Sequence, residues 1–125
     1  MKLPTFGRVQ LKIMQVLWKR GKATARQITD DLSRKEKIAH STVQTLLRKL
    51  EAKGAIAHQT KGRTFIFYPV VEKDRIITCA TREFLRRMFA GSPYGLVSHL
   101  LKHDKVSEEE LDRIRRLLEK EEEEV

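Results

Sequence analysis

At 125 residues, with 40% hydrophobic content and one cysteine (Cys79), the chain has room for one domain, or for one small domain with an appendage. These numbers exclude a disulfide framework and argue against wholesale disorder, and no apolar run approaches the ~18 residues of a membrane span. The formal charge of +9 is unevenly placed: residues 1–68 carry 15 Lys/Arg against 4 Asp/Glu, residues 69–125 carry 11 against 13. That asymmetry points to an N-terminal half that meets a polyanion and a C-terminal half with another task. The first residues break their apolar positions with Arg8, Gln10 and Lys12, unlike a signal peptide, so the expected location is cytoplasmic.

Residues 8–20 are expected to form a first helix, with Val9, Ile13, Val16 and Leu17 at helical spacing, Trp18 in core or hinge packing and Gly21 past the end. In "TARQITDDL", Thr24 and Gln27 have capping-box spacing, and Ile28 and Leu32 supply a short apolar face. The polar stretch 33–39 leads to a third helix, for which Ser41 and Gln44 predict a second capping box and Gly54 a stop. After Gly54 the period changes from helical to alternating. "AIAHQT" and "TFIFYPV" read as strands joined by a turn at "KG" with Arg63, and Phe65 and Phe67 are expected to pack against the helices.

Beyond Pro69 the helical period returns. Residues 72–90 place Ile77, Ala80/Thr81, Phe84/Leu85 and Met88 on one face, and Gly91 ends that helix. Ser92-Pro93 opens a short helix carrying Leu96, Val97, Leu100 and Leu101. Ser107 and Glu110 open another, which is expected to bury Leu111, Ile114, Leu117 and Leu118 and to end in a frayed acidic tail, "EKEEEEV". Three short helices cannot easily bury so much Leu, Phe and Ile alone, whereas a second copy of the same surface would cover it. The expected fold is mainly α with a small β-hairpin wing: a winged helix-turn-helix domain over 1–70, then a helical dimerisation domain over 71–125. The expected dimer interface comprises Ile77, Phe84, Leu85, Met88, Leu96, Leu100, Leu111, Ile114 and Leu118.

The third helix has two faces. Val43, Leu46, Leu47 and Leu50 form an apolar stripe, and opposite it stand Ser41, Gln44, Thr45 and Arg48. Those polar residues are the types that read base edges in the major groove: Gln pairs with adenine N6/N7, Arg with guanine O6/N7, and the Thr methyl meets that of thymine. Arg26, Lys49, Lys53, Lys61 and Arg63 surround that face as candidate phosphate contacts, and no acidic residue falls between Lys53 and Tyr68.

"IMQVLWKRGKATARQITDDL", "STVQTLLRKLEAKG" and "KGRTFIFYPVV" resemble the penicillinase-repressor (BlaI/MecI-like) family of bacterial transcriptional regulators, and "FAGSPYGLVSHLLKHDKVSEEELDRIRRLLE" resembles that family's C-terminal half. The similarity spans roughly residues 8–118. It implies a homodimeric repressor on an inverted-repeat DNA operator, with base-facing positions at Ser41, Thr42, Gln44, Thr45 and Arg48 and backbone-facing positions at Lys61 and Arg63. It also implies a membrane sensor-protease as a possible partner. Here the chain departs from the family, since the position of the cleaved Asn-Phe bond reads His99-Leu100. The paired cysteines of copper-responsive relatives are missing too.

Other classes have less behind them. His99 and His103, at i and i+4, raise a metal-responsive repressor with Asp104 or a partner chain completing the site, although no metal or cofactor is called for. Cys79 beside Arg75 and Arg82 raises a redox switch, but a buried and inert thiol is expected. A sequence-neutral RNA or ribosome binder would need exposed aromatics for stacking. No Gly-rich phosphate loop, zinc motif or nucleophile arrangement suggests an enzyme.

Overall fold

The computed structural model describes residues 3–124. The elements run α1 (Arg8–Arg20), α2 (Ala25–Ser33), α3 (His40–Ala52), β1 (Ile56–Lys61), β2 (Thr64–Pro69), α4 (Lys73–Phe89), α5 (Pro93–His103) and α6 (Glu108–Glu124). Two compact units divide between Cys79 and Ala80, within α4.

The first unit is organised by apolar stripes at helical period. Ile13, Met14 and Leu17 of α1, Ile28 and Leu32 of α2, and Val43, Leu47 and Leu50 of α3 meet in one core with Ala23, Ala55 and Ile56. Of the stripe expected on α1, Ile13 and Leu17 are buried while Val9 and Val16 pack half-buried at the core's edge. Each helix ends where its chemistry predicts. Gly21 closes α1 in the left-handed region at φ 84°. Thr24 caps α2 by accepting from Gln27 N, while Gln27 returns a bond to Thr24 N, completing the box.

α3 differs from expectation at its start. It begins at His40 with Ala39 as N-cap and no side-chain cap, so Ser41 lies inside the first turn. The backbone carbonyl of Ala39 accepts from Val43 N at 3.2 Å. Ser41 is therefore not spent on capping.

β1 and β2 pair antiparallel from Ile56↔Pro69 to Lys61↔Thr64. The two-residue loop Gly62-Arg63 needs a positive φ at its first position, and Gly62 supplies 64° without steric cost. The hairpin is fastened to the helices by a one-residue bridge: Ala23 and Phe67 exchange both backbone hydrogen bonds, at 2.9 and 2.8 Å. Trp18 is half-buried and donates its indole N–H to the Val71 carbonyl at 3.0 Å, which holds the chain leaving the wing.

Surface ion pairs lie between consecutive elements. Arg20 pairs with Asp31 (2.6 Å) across α1 and α2. Arg8 and Lys12 both reach Glu36 in the α2–α3 connection. Hydrogen bonds from Arg8 and then Lys12 hold the Glu36 carboxyl at about 2, below its ordinary 4.5.

In the second unit, Ser92 caps α5 by accepting from Gly95 N at 3.0 Å, and Pro93 occupies the first turn. Gly95 is required by close approach, since a Cβ there would sit 3.3 Å from the Phe89 ring. Ser107 accepts from Glu110 N at 3.1 Å, half of the expected box, while the Glu110 carboxylate turns to Arg113. The acidic stretch is helical through Glu124 rather than frayed, and Val125 lies outside the described residues.

The main correction concerns burial. No described residue from 80 to 123 is buried. Leu117 and Leu118, expected inside, are 60% and 61% exposed, and Ile114 is also exposed, because nothing in the unit covers that side of α6. On α4 Ile76 is buried, and Ile77, expected on the interface face, is exposed.

Leu50→Ala removes a fully buried side chain where three elements meet, and it should cost about 2–5 kcal/mol in denaturant unfolding. The depressed Glu36 pKa favours the fold fully above pH 4.5, and this advantage is lost as pH falls toward 2. Thermal unfolding of Glu36→Gln should therefore fall below that of the unmodified chain at neutral pH, the two converging near pH 2.

Candidate nucleic-acid interface

Burying Val43, Leu47 and Leu50 fixes the rotation of α3 and turns the opposite arc to solvent. Ser41, Thr42, Gln44, Thr45, Arg48 and Lys49 are all exposed on that arc. Thr45 Oγ1 donates to the Ser41 carbonyl at 3.0 Å, which leaves its methyl group as the adaptable contact.

The wing completes a concave surface. An open cleft of about 520 Å³ lies between the start of α2, the outer face of α3 and the hairpin, and Arg26, Gln44, Arg48 and Arg63 line it with Thr24 and Phe65. Three guanidiniums from three elements, with no carboxylate among the lining residues, make a surface suited to a polyanion. Ser41, Thr42, Thr45, Lys49 and Lys61 are outside the lining, on the exposed rim of α3 and at the hairpin tip.

Lys53 Nζ donates to the Thr5 carbonyl and to Gln10 Oε1, both at 2.9 Å, and the same Gln10 oxygen accepts from Gly7 N. The ammonium ties the N-terminal segment to the end of α3 and keeps its third donor.

Phe67 packs against the core as expected, whereas Phe65 is 47% exposed. The His58 ring stacks on Phe65, with centroids 4.0 Å apart and planes within 12°. His58 Nδ1 also meets Glu51 of α3, so the hairpin is linked to the helix whose face it flanks. Of the lining residues the sequence reading did not single out His40, Ala25 and Thr64, and it named Thr24 only as a helix cap. For His40 a signal was present, since it precedes Gln44 by four residues and Arg48 by eight.

Cys79 is exposed, which corrects the expectation of a buried thiol: it lies one turn past Ile76, at the last residue of the first unit, where the core no longer covers α4. His99 and His103 do stand together, with ring centroids 4.4 Å apart. Among the described residues, however, no group of three His, Cys, Asp or Glu side chains could hold a metal, so Asp104 does not complete a site. His99 and Leu100 lie within α5, and a protease would need that helix unwound to read the bond. No described helix is long and apolar enough to cross a membrane.

The residue pattern over 6–120 matches the penicillinase repressor family. The chain is 30% identical over 118 residues to the penicillinase repressor of Bacillus licheniformis, spanning 94% of this chain and 92% of that one. It is 24% identical over 109 residues to the methicillin resistance regulatory protein MecI of Staphylococcus aureus strain N315, spanning 87% and 89%. Among solved structures, the monomeric form of Bacillus licheniformis BlaI in complex with the blaP half-operator is similar with a TM-score of 0.51 at 30% identity, over 58% of this chain and 89% of that one.

Proposed function

The chain belongs to the penicillinase repressor family, and from that premise we propose that it is a homodimeric transcriptional repressor which reads an inverted-repeat DNA operator. The observation that carries the proposal is the cleft in which Arg26, Gln44, Arg48 and Arg63 converge from α2, α3 and the wing. A similar BlaI chain has been solved in complex with a half-operator, and its likeness covers 58% of this chain. α3 enters the major groove. Gln44 and Arg48 face base edges, joined by Ser41, Thr42 and Thr45, while Arg26, Lys49, Lys61 and Arg63 neutralise phosphates on either side. None of these roles is catalytic, and the protein works by occupying DNA.

The dimer is assigned to residues 71–125. Phe84, Met88, Leu100 and Leu118 are 47%, 65%, 40% and 61% exposed, with Ile77 and Ile114 also exposed and Leu85, Leu96 and Leu111 half-buried. A soluble chain rarely leaves that much apolar surface open over so short a stretch, and an isologous contact covers it with a matching copy. Two copies then place two reading helices on one duplex, which is why the operator should be an inverted repeat.

Sequences selected from a random DNA pool at two salt concentrations test the reading. A short inverted repeat that keeps its advantage at the higher salt is expected. Binding without a motif, collapsing with salt, would mean that the cleft recognises charge alone and would favour a sequence-neutral nucleic-acid binder. On the selected operator Arg48→Ala should cost about 1–3 kcal/mol of affinity, with little loss on random DNA. Lys61→Ala should weaken both and reduce the salt slope by about one. Met88→Glu with Leu118→Glu should shift sedimentation from dimer to monomer and lower operator affinity while leaving the melting of the first unit unchanged.

A further inference from the structure

We infer that His40 is an additional base-reading side chain, tethered by Thr29 so that its Nε2 accepts a hydrogen bond from an exocyclic amino group in the major groove. The inference rests on the proposed operator-reading role of the cleft.

His40 is the first residue of α3, one turn before Gln44, and it lines the cleft with Gln44, Arg48 and Arg63. Its Nδ1 lies 2.8 Å from Oγ1 of Thr29, a buried residue of α2. Thr29 has a single hydroxyl proton, and that proton goes to the Ala25 carbonyl at 2.9 Å. Toward His40 the oxygen therefore offers only lone pairs, and the bond requires the hydrogen on Nδ1. A neutral imidazole has one N–H, so Nε2 is left as an acceptor.

Nε2 has no partner among the described residues. No buried side-chain nitrogen or oxygen there lacks one, so Nε2 is open to solvent. The two charged lining residues nearest to it in role, Arg48 and Arg63, carry donors only, and Gln44 offers one acceptor beside its donors. His40 thus adds an acceptor on α3 beside that of Gln44, held in place before DNA arrives. In the major groove the hydrogens that match an acceptor are those of adenine N6 and cytosine N4. Guanine O6 and N7 and thymine O4 present lone pairs, which repel it. His40, Gln44 and Arg48 span roughly 12 Å along the helix, enough for several successive base pairs.

The test titrates the full chain and His40→Ala with the selected operator and with versions lacking one amino group: purine for adenine, or 2-pyrimidinone for cytosine. At one base pair per half-site, deleting the amine should weaken binding of the unmodified chain by roughly 2- to 10-fold and leave His40→Ala unaffected. The analogue that responds tells adenine from cytosine. Thr29→Val should reproduce His40→Ala, with no further loss when the two are combined. Equal sensitivity of both proteins to every deletion would overturn the assignment. Imidazole nitrogen NMR of the unmodified chain gives an independent check that needs no variant: a neutral ring protonated at Nδ1 supports the inference, and a proton on Nε2, in the neutral or the charged ring, overturns it. Operator preference that does not depend on His40 would sink this inference alone, whereas absence of any operator preference would remove the cleft's reading role and this inference together.

Discussion

The fold depends on a constraint placed on one helix. α3 contributes three of the most deeply buried side chains, Val43, Leu47 and Leu50, each 1% exposed or less, and its remaining surface must then face outward. Burying a Val or Leu side chain stabilises by about 1.5–3 kcal/mol, whereas exposed ion pairs such as Arg20–Asp31 contribute about 0–1 kcal/mol. Apolar burial, not charge, therefore sets how α3 is rotated. A rotation by one residue would carry Gln44 and Arg48 about 100° away from the cleft while exposing the stripe. The polar face is held in position by the core behind it.

The wing is held differently. A two-stranded hairpin is marginal by itself in water, so its placement needs outside contacts. Three are visible: the paired backbone bonds between Ala23 and Phe67, the Phe67 ring against the core, and the contact of His58 with Glu51 of α3. Two of these meet the hairpin at Phe67 and the third at its pairing partner His58. Arg63 therefore projects from a braced hairpin, although it sits on a loop. Lys53, though exposed, also braces the fold, since its ammonium anchors the N-terminal segment.

The second unit follows another logic. With no buried residue among 80–123, it lacks a core of its own and relies on local devices: the Ser92 and Ser107 caps, short-range ion pairs on α4 and α6, and the close contact of Gly95 with Phe89. Such devices contribute about 0.3–2 kcal/mol each, too little to order three helices of this length. Small units in this position are usually completed by association. The proposed dimer answers a physical need of the chain as much as a functional one.

The sequence by itself determined the element order, the helix ends at Gly21 and Gly91, the Thr24 and Ser92 caps, the hairpin and the two faces of α3, because each depends on residues a few positions apart. Family resemblance was equally legible in the order of those local patterns. Tertiary structure alone decided matters that turn on distant neighbours. Ser41 resembles a cap, yet α3 starts at His40, whose ring is held by Thr29 eleven residues away. Ile76 and Ile77 are equivalent in composition, and only the direction in which α4 docks chooses which of them is buried. Lys53 and Lys61 read alike as basic residues and both are exposed, but only the fold gives the first hydrogen bonds to Thr5 and Gln10. Period and capping act over one or two turns, whereas burial and the engagement of a charge depend on which parts of the chain the fold brings together.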